Sequence, residues 1–240
     1  MRIPFFHLID MNRYFVLLCF ILFINTIFAQ EIVNKTLDSL YREDQFYFGV
    51  TYNILSNSPD DLSQAGFSSG FHLGFIRDMP INKKRTMALG IGLGYSTNSY
   101  NNNLLINNDD FGAFSYTILE DGNTYSKNKF STHLVEIPLE FRWRTSTASD
   151  YNFWRIYTGF KFGYLFSNTT KYEGDLGNIK LNNIDSFNNL QYGLSLSVGY
   201  NTWNIYVYYA LNPVFTDDVL LNGNNLDINT LKVGLIFYIL

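Results

Sequence analysis

The sequence contains almost no cysteine, since Cys19 is the only one among 240 residues. Cys19 lies inside an apolar run near the N-terminus and follows Leu17 and Leu18, whereas a lipoprotein signal has small residues before its cysteine. If this run is removed on export, the mature chain contains no cysteine. The absence of cysteine would exclude disulfides, a thiol nucleophile and a cysteine-ligated zinc site.

Charged residues are scarce as well, because Asp, Glu, Lys and Arg make up 16% of the chain and the net charge is −4. Binding to nucleic acid normally requires a basic patch, so we expect no nucleic-acid partner. The carboxylate pairs Asp109-Asp110 and Asp217-Asp218 match no ligand spacing for zinc or for an EF-hand. We therefore predict no catalytic, cofactor-binding or metal-binding residues and no cofactor.

One apolar run stands out, over residues 14–28, after Asn12-Arg13 and before Ala29. It is short for a transmembrane helix, which needs about 20 apolar residues. A positive start, an apolar centre and a small-residue end are typical of a cleaved signal peptide. We predict a signal peptide over residues 1–29, or one that begins at Met11. A periplasmic segment, residues 30–44, follows, and the helical spacing in residues 31–44 indicates either a short helix or a flexible lead-in.

From Gln45 onward the apolar residues recur with a period of two, which is the pattern of a β-strand. Most of these segments are longer than the about five or six residues of an ordinary strand. Apart from the second segment, they reach the length of about 9–11 residues that a tilted strand needs to cross a bilayer. The eight segments cover residues 46–54, 71–75, 87–95, 133–143, 154–166, 190–200, 203–211 and 231–239.

The connections between these segments alternate in length. Long connections rich in Asn, Asp, Gly and Ser occupy residues 56–68, 98–129, 167–189 and 212–229, and short ones occupy residues 79–85, 145–152 and 201–202. Bacterial outer-membrane barrels alternate long external loops with short periplasmic turns. We predict an all-β fold over residues 45–240, an eight-stranded antiparallel up-and-down transmembrane β-barrel in the outer membrane of a Gram-negative bacterium, with membrane lipid as a partner.

The two faces of the segments differ in polarity. The apolar face carries no charged residue, as expected for a lipid-facing surface, where a Lys or Arg near the midplane costs about 2–4 kcal/mol. A soluble lipocalin-like barrel would have the opposite arrangement. The other face is small and polar, and is formed by Thr51, Asn53, His72, Gly74, Ala88, Gly90, Gly92, Gly94, Glu136, Glu140, Arg142, Arg155, Gly159, Lys161, Gly163, Gln191, Gly193, Ser195, Ser197 and Lys232.

The charges on the small, polar face are predicted to lie inside the barrel. Glu136, Glu140 and Arg142 belong to the fourth segment, and Arg155 and Lys161 to the fifth. We expect ion pairs between them, because an unpaired buried charge costs several kcal/mol. A proton- or ion-conducting role is the alternative. Eight strands enclose an interior that side chains just fill, which argues against a wide pore.

Aromatic residues near the segment ends are predicted to form girdles at the level of the lipid headgroups. The alternative is that they are ordinary core aromatics. These residues are Tyr52, Tyr95, Trp143, Trp154, Tyr164, Tyr200, Trp203 and Tyr209.

Three local features allow more than one interpretation. Ser131 and His133 share the outer face near a strand end, where a lipid-A deacylase could place its Ser-His pair, although no acidic partner is visible there. The apolar Leu104-Leu105-Ile106 lies in an Asn-rich loop and could dock a partner, fold over the barrel mouth or remain on a mobile surface loop. Pro138 must either cost a ladder hydrogen bond or mark a bulge.

Two runs resemble the small PorT-like outer-membrane barrels of Bacteroidota. The run Val135-Glu136-Ile137-Pro138-Leu139-Glu140-Phe141 resembles their fourth-strand signature, and Tyr157-Thr158-Gly159-Phe160-Lys161-Phe162-Gly163-Tyr164 resembles their next strand. The ending Phe28-Ala29-Gln30 is similar to signal peptides of that phylum.

This resemblance implies a compartment, a fold and a kind of partner, but assigns no residue a role. Several members of the family belong to the type IX secretion and gliding machinery. We therefore expect a non-enzymatic structural or interaction component with protein partners in a secretion or motility complex. The alternatives are a lipid-modifying outer-membrane enzyme that uses Ser131 and His133, and a narrow ion or solute channel.

Overall fold

The computed structural model describes residues 44–109, 112–120, 122–145 and 153–239. The predicted signal peptide lies outside these ranges, and so does the predicted periplasmic segment, residues 30–44, except for Asp44. Within the described ranges, no helix has the length and apolar character needed to span a membrane. The secondary structure of these ranges is β-sheet.

The strands of the described chain are numbered in chain order. They are β1 (Gln45–Ser56), β2 (Ser69–Pro80), β3 (Met87–Asn101), β4 (Leu104–Asn108), β5 (Phe114–Ile118), β6 (Tyr125–Arg144), β7 (Trp154–Gly174), β8 (Gly177–Asn182), β9 (Leu190–Tyr200), β10 (Trp203–Ala210), β11 (Leu220–Leu221), β12 (Asn224–Asn225) and β13 (Asn229–Ile239). Each of the eight predicted segments lies within one of the eight longest strands, apart from its last residue in one case, Leu211.

Those eight strands close into a barrel. Their order is β6-β3-β2-β1-β13-β10-β9-β7, and pairing of β6 with β7 completes the ring. The last strand pairs with the first, from Phe46↔Ile239 to Ser56↔Asn229. The predicted eight-stranded antiparallel barrel is therefore confirmed. We call the end with the short connections the turn end, and the opposite end the loop end.

The alternation of faces is also as predicted. Phe46 and Leu93 point outward and are 63% and 62% exposed, whereas Thr51 and Asn53 point inward and are buried. The aromatic residues assigned to the girdles lie on the outer side of the wall, with Trp203 65% exposed. One charged residue, Arg77, lies on the outward face of β2, just beyond the predicted segment. Its long side chain can extend toward the polar layer while its stem remains in contact with apolar surface.

The wall is taller at the loop end than predicted, so the limits of two predicted connections are wrong. Pairing of β3 with β6 continues through Asn98↔Thr132 to Asn101↔Lys129. β7 continues to Gly174 and then folds back as β8. Loops were predicted here because these strand ends consist largely of polar residues. Strand pairing uses the backbone, however, and needs no apolar side chains where the strand leaves the lipid.

Pro138 interrupts pairing on one side of β6 without a bulge. The β3–β6 ladder passes from Ile91↔Leu139 to Gly94↔Glu136 with unchanged register and no pairing between. The register shifts of β6 lie elsewhere, in its pairing with β7, between Tyr125 and Lys127 and between His133 and Leu134. Of the two alternatives for Pro138, the lost ladder bond is the one observed.

Candidate functional site

A buried ion cluster fills the turn end of the lumen. Asp78 accepts hydrogen bonds from Arg144 Nη1 at 2.7 Å and from Arg142 Nη1 at 3.0 Å. Arg142 also donates from Nε to Glu140 at 3.1 Å and from Nη2 to Gln45 at 3.0 Å. Both arginines are 0% exposed. Because several groups share the charges, the cost of removing them from water is offset by direct hydrogen bonds.

Three members of this cluster, Asp78, Arg144 and Gln45, lie outside the lumen positions predicted from the sequence. The second segment was predicted to end at Phe75, yet the inward positions continue from His72 by steps of two to Asp78. A longer reading of that alternation would have placed Asp78 in the lumen. Arg144 and Gln45 are the terminal inward residues of β6 and β1, where a pattern of period two has the fewest neighbours to support it.

A second ion cluster lies in the middle of the lumen. Lys161 Nζ is 3.1 Å from Glu136 Oε2, as the predicted pairing between neighbouring strands requires. Ser96 donates to the other carboxylate oxygen at 2.8 Å, and His72 Nδ1 lies 3.8 Å from Oε2. Lys232 lies over the ring of Tyr208, with Nζ 5.0 Å from the centroid.

Five tyrosines, which the sequence analysis did not assign to the lumen, fill the remaining space. They are Tyr47, Tyr157, Tyr206, Tyr208 and Tyr238, each at most 5% exposed. Glycine makes room for them: a Cβ on Gly74 would lie 2.7 Å from a ring carbon of Tyr47. The glycine runs of the inner face therefore accommodate tyrosine rings in a narrow barrel.

These clusters obstruct the lumen with charged and aromatic side chains, as expected for a barrel of this size. Arg155 departs from the predicted network, because it donates to the carbonyl of Asn201 at 2.8 Å and lies over the ring of Phe153. The arrangement suits a structural plug better than a conducting path, since most of the charges are held by direct partners.

An apolar cap lies at the loop end. It is a cluster of buried side chains from the loops and the upper strand ends, and includes Leu104, Ile106, Phe187 and Phe215. The rings of Phe187 and Phe215 are 4.8 Å apart, and both pack on Phe130 of β6. Of the alternatives for Leu104-Leu105-Ile106, folding over the barrel mouth is the one observed, with all three residues buried.

Asparagine side chains hold the cap together. Asn168 donates to the carbonyl of Ile184 at 3.0 Å and accepts from the same residue's amide at 2.8 Å. Asn128 donates to the carbonyls of Asn102 and Leu104, each at 2.9 Å. An amide side chain can satisfy backbone groups that an irregular loop leaves without partners. Asparagine-rich composition, typical of mobile loops, here accompanies an ordered structure.

An open polar groove of about 560 Å³ lies on the cap. Its lining includes Asp61, Tyr116, Glu120 and Asn222. Burial raises the pKa of the Tyr116 phenol, so this residue stays neutral and can donate a hydrogen bond. The carboxylates of Asp61 and Glu120 make the groove acidic.

Ser131 and His133 are not arranged as a catalytic pair. His133 Nδ1 is 2.7 Å from the hydroxyl of Tyr95, and Ser131 lies 3.5 Å from the hydroxyl of Ser99. Within the described residues, no ion pair links His133 to a carboxylate, and no group of three or more His, Cys, Asp or Glu could hold a metal ion. The geometry fits an interfacial histidine within an aromatic girdle.

A sequence model of the family described as "Outer membrane protein beta-barrel domain" matches residues 28–216. The chain belongs to this family. It is accordingly a protein of the outer membrane. Barrels of that membrane contact lipid with their outward face and carry their long loops on the external side. Comparison of the sequence with curated proteins gives no match. Among solved structures, the chain is similar to Ail, the attachment invasion locus protein of Yersinia pestis. The identity is 10% and the TM-score 0.37, over 83% of this chain and all of that one.

Proposed function

We propose that this protein is a non-enzymatic structural or interaction component of the outer membrane, and that it serves the type IX secretion or gliding machinery. The observation that carries the first part is the cap, which joins the external loops into one packed unit above an obstructed lumen. The second part rests on the PorT-like resemblance of residues 135–141 and 157–164. A fixed external platform favours binding to a partner because little loop entropy is lost on association.

The acidic groove on the cap is the contact surface that we propose for a protein partner. Asp61 and Glu120 are exposed at its rim and offer charge to a basic surface. Electrostatic complementarity of this kind chiefly raises the rate and the specificity of association. The groove is too exposed and polar to suit an apolar small molecule, whose sites are largely enclosed.

Affinity purification of the tagged protein from outer membranes in mild detergent, followed by mass spectrometry, tests this proposal. We expect secretion or motility proteins in stoichiometric amounts. The double variant D61K/E120K should lose most of them, whereas D217K/D218K, with the same change of charge at an exposed turn of the cap, should retain them. Recovery of a clean monomer from wild-type membranes would contradict the proposal.

The two rival functions have their own signatures. Altered lipid-A acyl chains in a strain carrying His133→Ala would favour a lipid-modifying enzyme. Reproducible single-channel conductance of the purified protein in planar bilayers would favour a channel. The contacts of His133 and the obstructed lumen lead us to expect neither result.

A further inference from the structure

Above the aromatic girdle, β6, β7 and β8 continue as a three-stranded sheet whose outward face is rich in lysine. Lys129 of β6 lies directly opposite Lys171 of β7, and Lys171 lies directly opposite Lys180 of β8. Lys127 is the next outward residue of β6. We call these four residues the lysine face. Like charges directly opposite one another destabilise a sheet, so the row has an electrostatic cost.

One carboxylate offsets part of this charge. Glu173 Oε1 lies 2.5 Å from Lys171, and its Oε2 lies 3.0 Å from Lys127. Among the described residues, neither Lys129 nor Lys180 forms an ion pair. The lysine face therefore keeps an excess of positive charge toward the outside of the barrel.

The rest of the loop end has the opposite sign. Outside the lumen, the lysine face contains the only Lys or Arg residues of the described loop end, and the other charged residues there are acidic. These acidic residues are Asp60, Asp61, Asp109, Glu120, Asp175, Asp185, Asp217, Asp218 and Asp227. The two signs are thus separated, and the positive side is the one that continues downward into the lipid-facing wall.

The lysine face lies just above the lipid headgroups, within reach of a lysine side chain. On β6 the outward residues below Lys129 are Ser131 and His133, and His133 stacks on Tyr95 in the girdle. Four residues at about 3.4 Å each, on a strand tilted by about 40°, place Lys129 roughly 10 Å above His133. The headgroup layer is about 5–7 Å thick on each side of the bilayer. A lysine side chain can lower its ammonium group into that layer.

We propose that the lysine face binds the phosphate groups of lipid A, the phosphorylated glycolipid of the outer leaflet. A phosphate accepts hydrogen bonds from several ammonium groups at once and would relieve the repulsion along the row. The sheet would thereby fix one side of the barrel to the outer leaflet and set the orientation of the acidic groove. This site does not depend on the proposed function, because lipid and protein partners would occupy different surfaces.

Native mass spectrometry of the full-length protein in mild detergent, titrated with bisphosphorylated lipid A, tests the site. Each lysine near an anionic lipid surface contributes about fivefold in affinity, so K129Q/K180Q should weaken binding on the order of 30-fold. K129R/K180R, which keeps the charge, should bind as wild type does. K83Q/K84Q, with the same loss of charge at the turn end, should also leave the affinity unchanged.

Two further binding measurements identify the ligand. Lipid A stripped of phosphate should bind wild type as weakly as the bisphosphorylated form binds K129Q/K180Q, and millimolar inorganic phosphate should compete only weakly. Equal binding by K129Q/K180Q or of phosphate-free lipid A would overturn the site. Full competition by inorganic phosphate would overturn the lipid as its ligand. The shift in gel mobility between unheated and heated samples verifies that each variant forms the barrel.

Discussion

The barrel wall and the cap are built from one chain with opposite patterns. In the wall the apolar side chains point outward and the ion clusters lie inside, whereas in the cap the apolar side chains are inside and the carboxylates are on the surface. Leu194 of the wall and Leu220 of the cap are similarly exposed, at 44% and 51%. Exposure alone therefore does not describe a residue's environment, because the two leucines face different solvents.

The difference shows what limits each region. Lipid cannot hydrogen-bond, so the wall must pair all backbone groups in a closed sheet and place its polar side chains inside. The cap is in water and is stabilised by burying apolar surface, as a small soluble domain is. Substitutions should consequently have different costs in the two regions, and the following variants break or sharpen this contrast.

Removing a lumen charge should have the largest effect. Lys161→Met leaves Glu136 buried without its cation, and we expect the free energy of unfolding to fall by about 3–5 kcal/mol. Chemical unfolding in detergent measures this loss. E136Q/K161M should recover much of it. Lys171 also pairs with a glutamate, but at the surface. Lys171→Met should therefore change the free energy of unfolding little. Equal losses for K161M and K171M would contradict the account.

A cavity in the cap should act locally. Phe215→Ala deletes a ring that is 1% exposed, and we expect about 3–4 kcal/mol less free energy for opening the cap. Hydrogen exchange should rise in residues 184–188 and 214–221, while the barrel strands exchange as before. Phe114→Ala, at a ring that is 36% exposed, is the matched control and should have little effect. If the barrel strands of F215A also exchanged faster, the cap would not open independently of the wall.

The same substitution at two similarly exposed leucines compares the cost of a charge in lipid with its cost in water. Leu194→Arg places a charge in the lipid-facing part of β9 and should cost about 2–4 kcal/mol if the residue lies near the midplane. Leu220→Arg places it in water and should be close to neutral. Unfolding in lipid vesicles, with wild type alongside, compares the two. A similar cost at both sites would mean that β9 does not face lipid.

Loss of one asparagine side chain that bonds the loop backbone should have the smallest effect. Asn168→Ala leaves the backbone amide and carbonyl of Ile184 without side-chain partners, and should weaken the cap by about 1–3 kcal/mol. Protease sensitivity of the loops is the measurement. Asn225→Ala, at an exposed position, serves as control. Unchanged sensitivity of N168A would show that asparagine composition does not order the loops.

The sequence predicted the wall well because lipid imposes a strict pattern. Any charge on the outer face is costly, so alternation over eight segments revealed the strands, their faces and most lumen charges. Asp78 was missed because the second segment appeared to end at Phe75. The lumen tyrosines were missed because tyrosine is also common on the lipid-facing side, and polarity alone does not distinguish the two positions.

The cap could not be predicted in the same way. Its members Leu62, Phe130, Phe187 and Val214 are far apart in the sequence and follow no period. They come together only because the closed barrel brings the four loops to one end. The three consecutive apolar residues starting at Leu104 were the one local signal, and that signal left docking, folding over the mouth and mobility as open alternatives.

Hydrogen–deuterium exchange of the purified wild-type protein tests the central claim, that the external loops form a packed cap, most directly. The amide of Ile184 donates to Asn168 Oδ1, and that of Val214 to the carbonyl of Ile228. We expect peptides covering these two residues to exchange as slowly as those of β6 and β7. Complete exchange of the loop peptides at the earliest time point, with the strands protected, would show that the loops are mobile and would contradict the account.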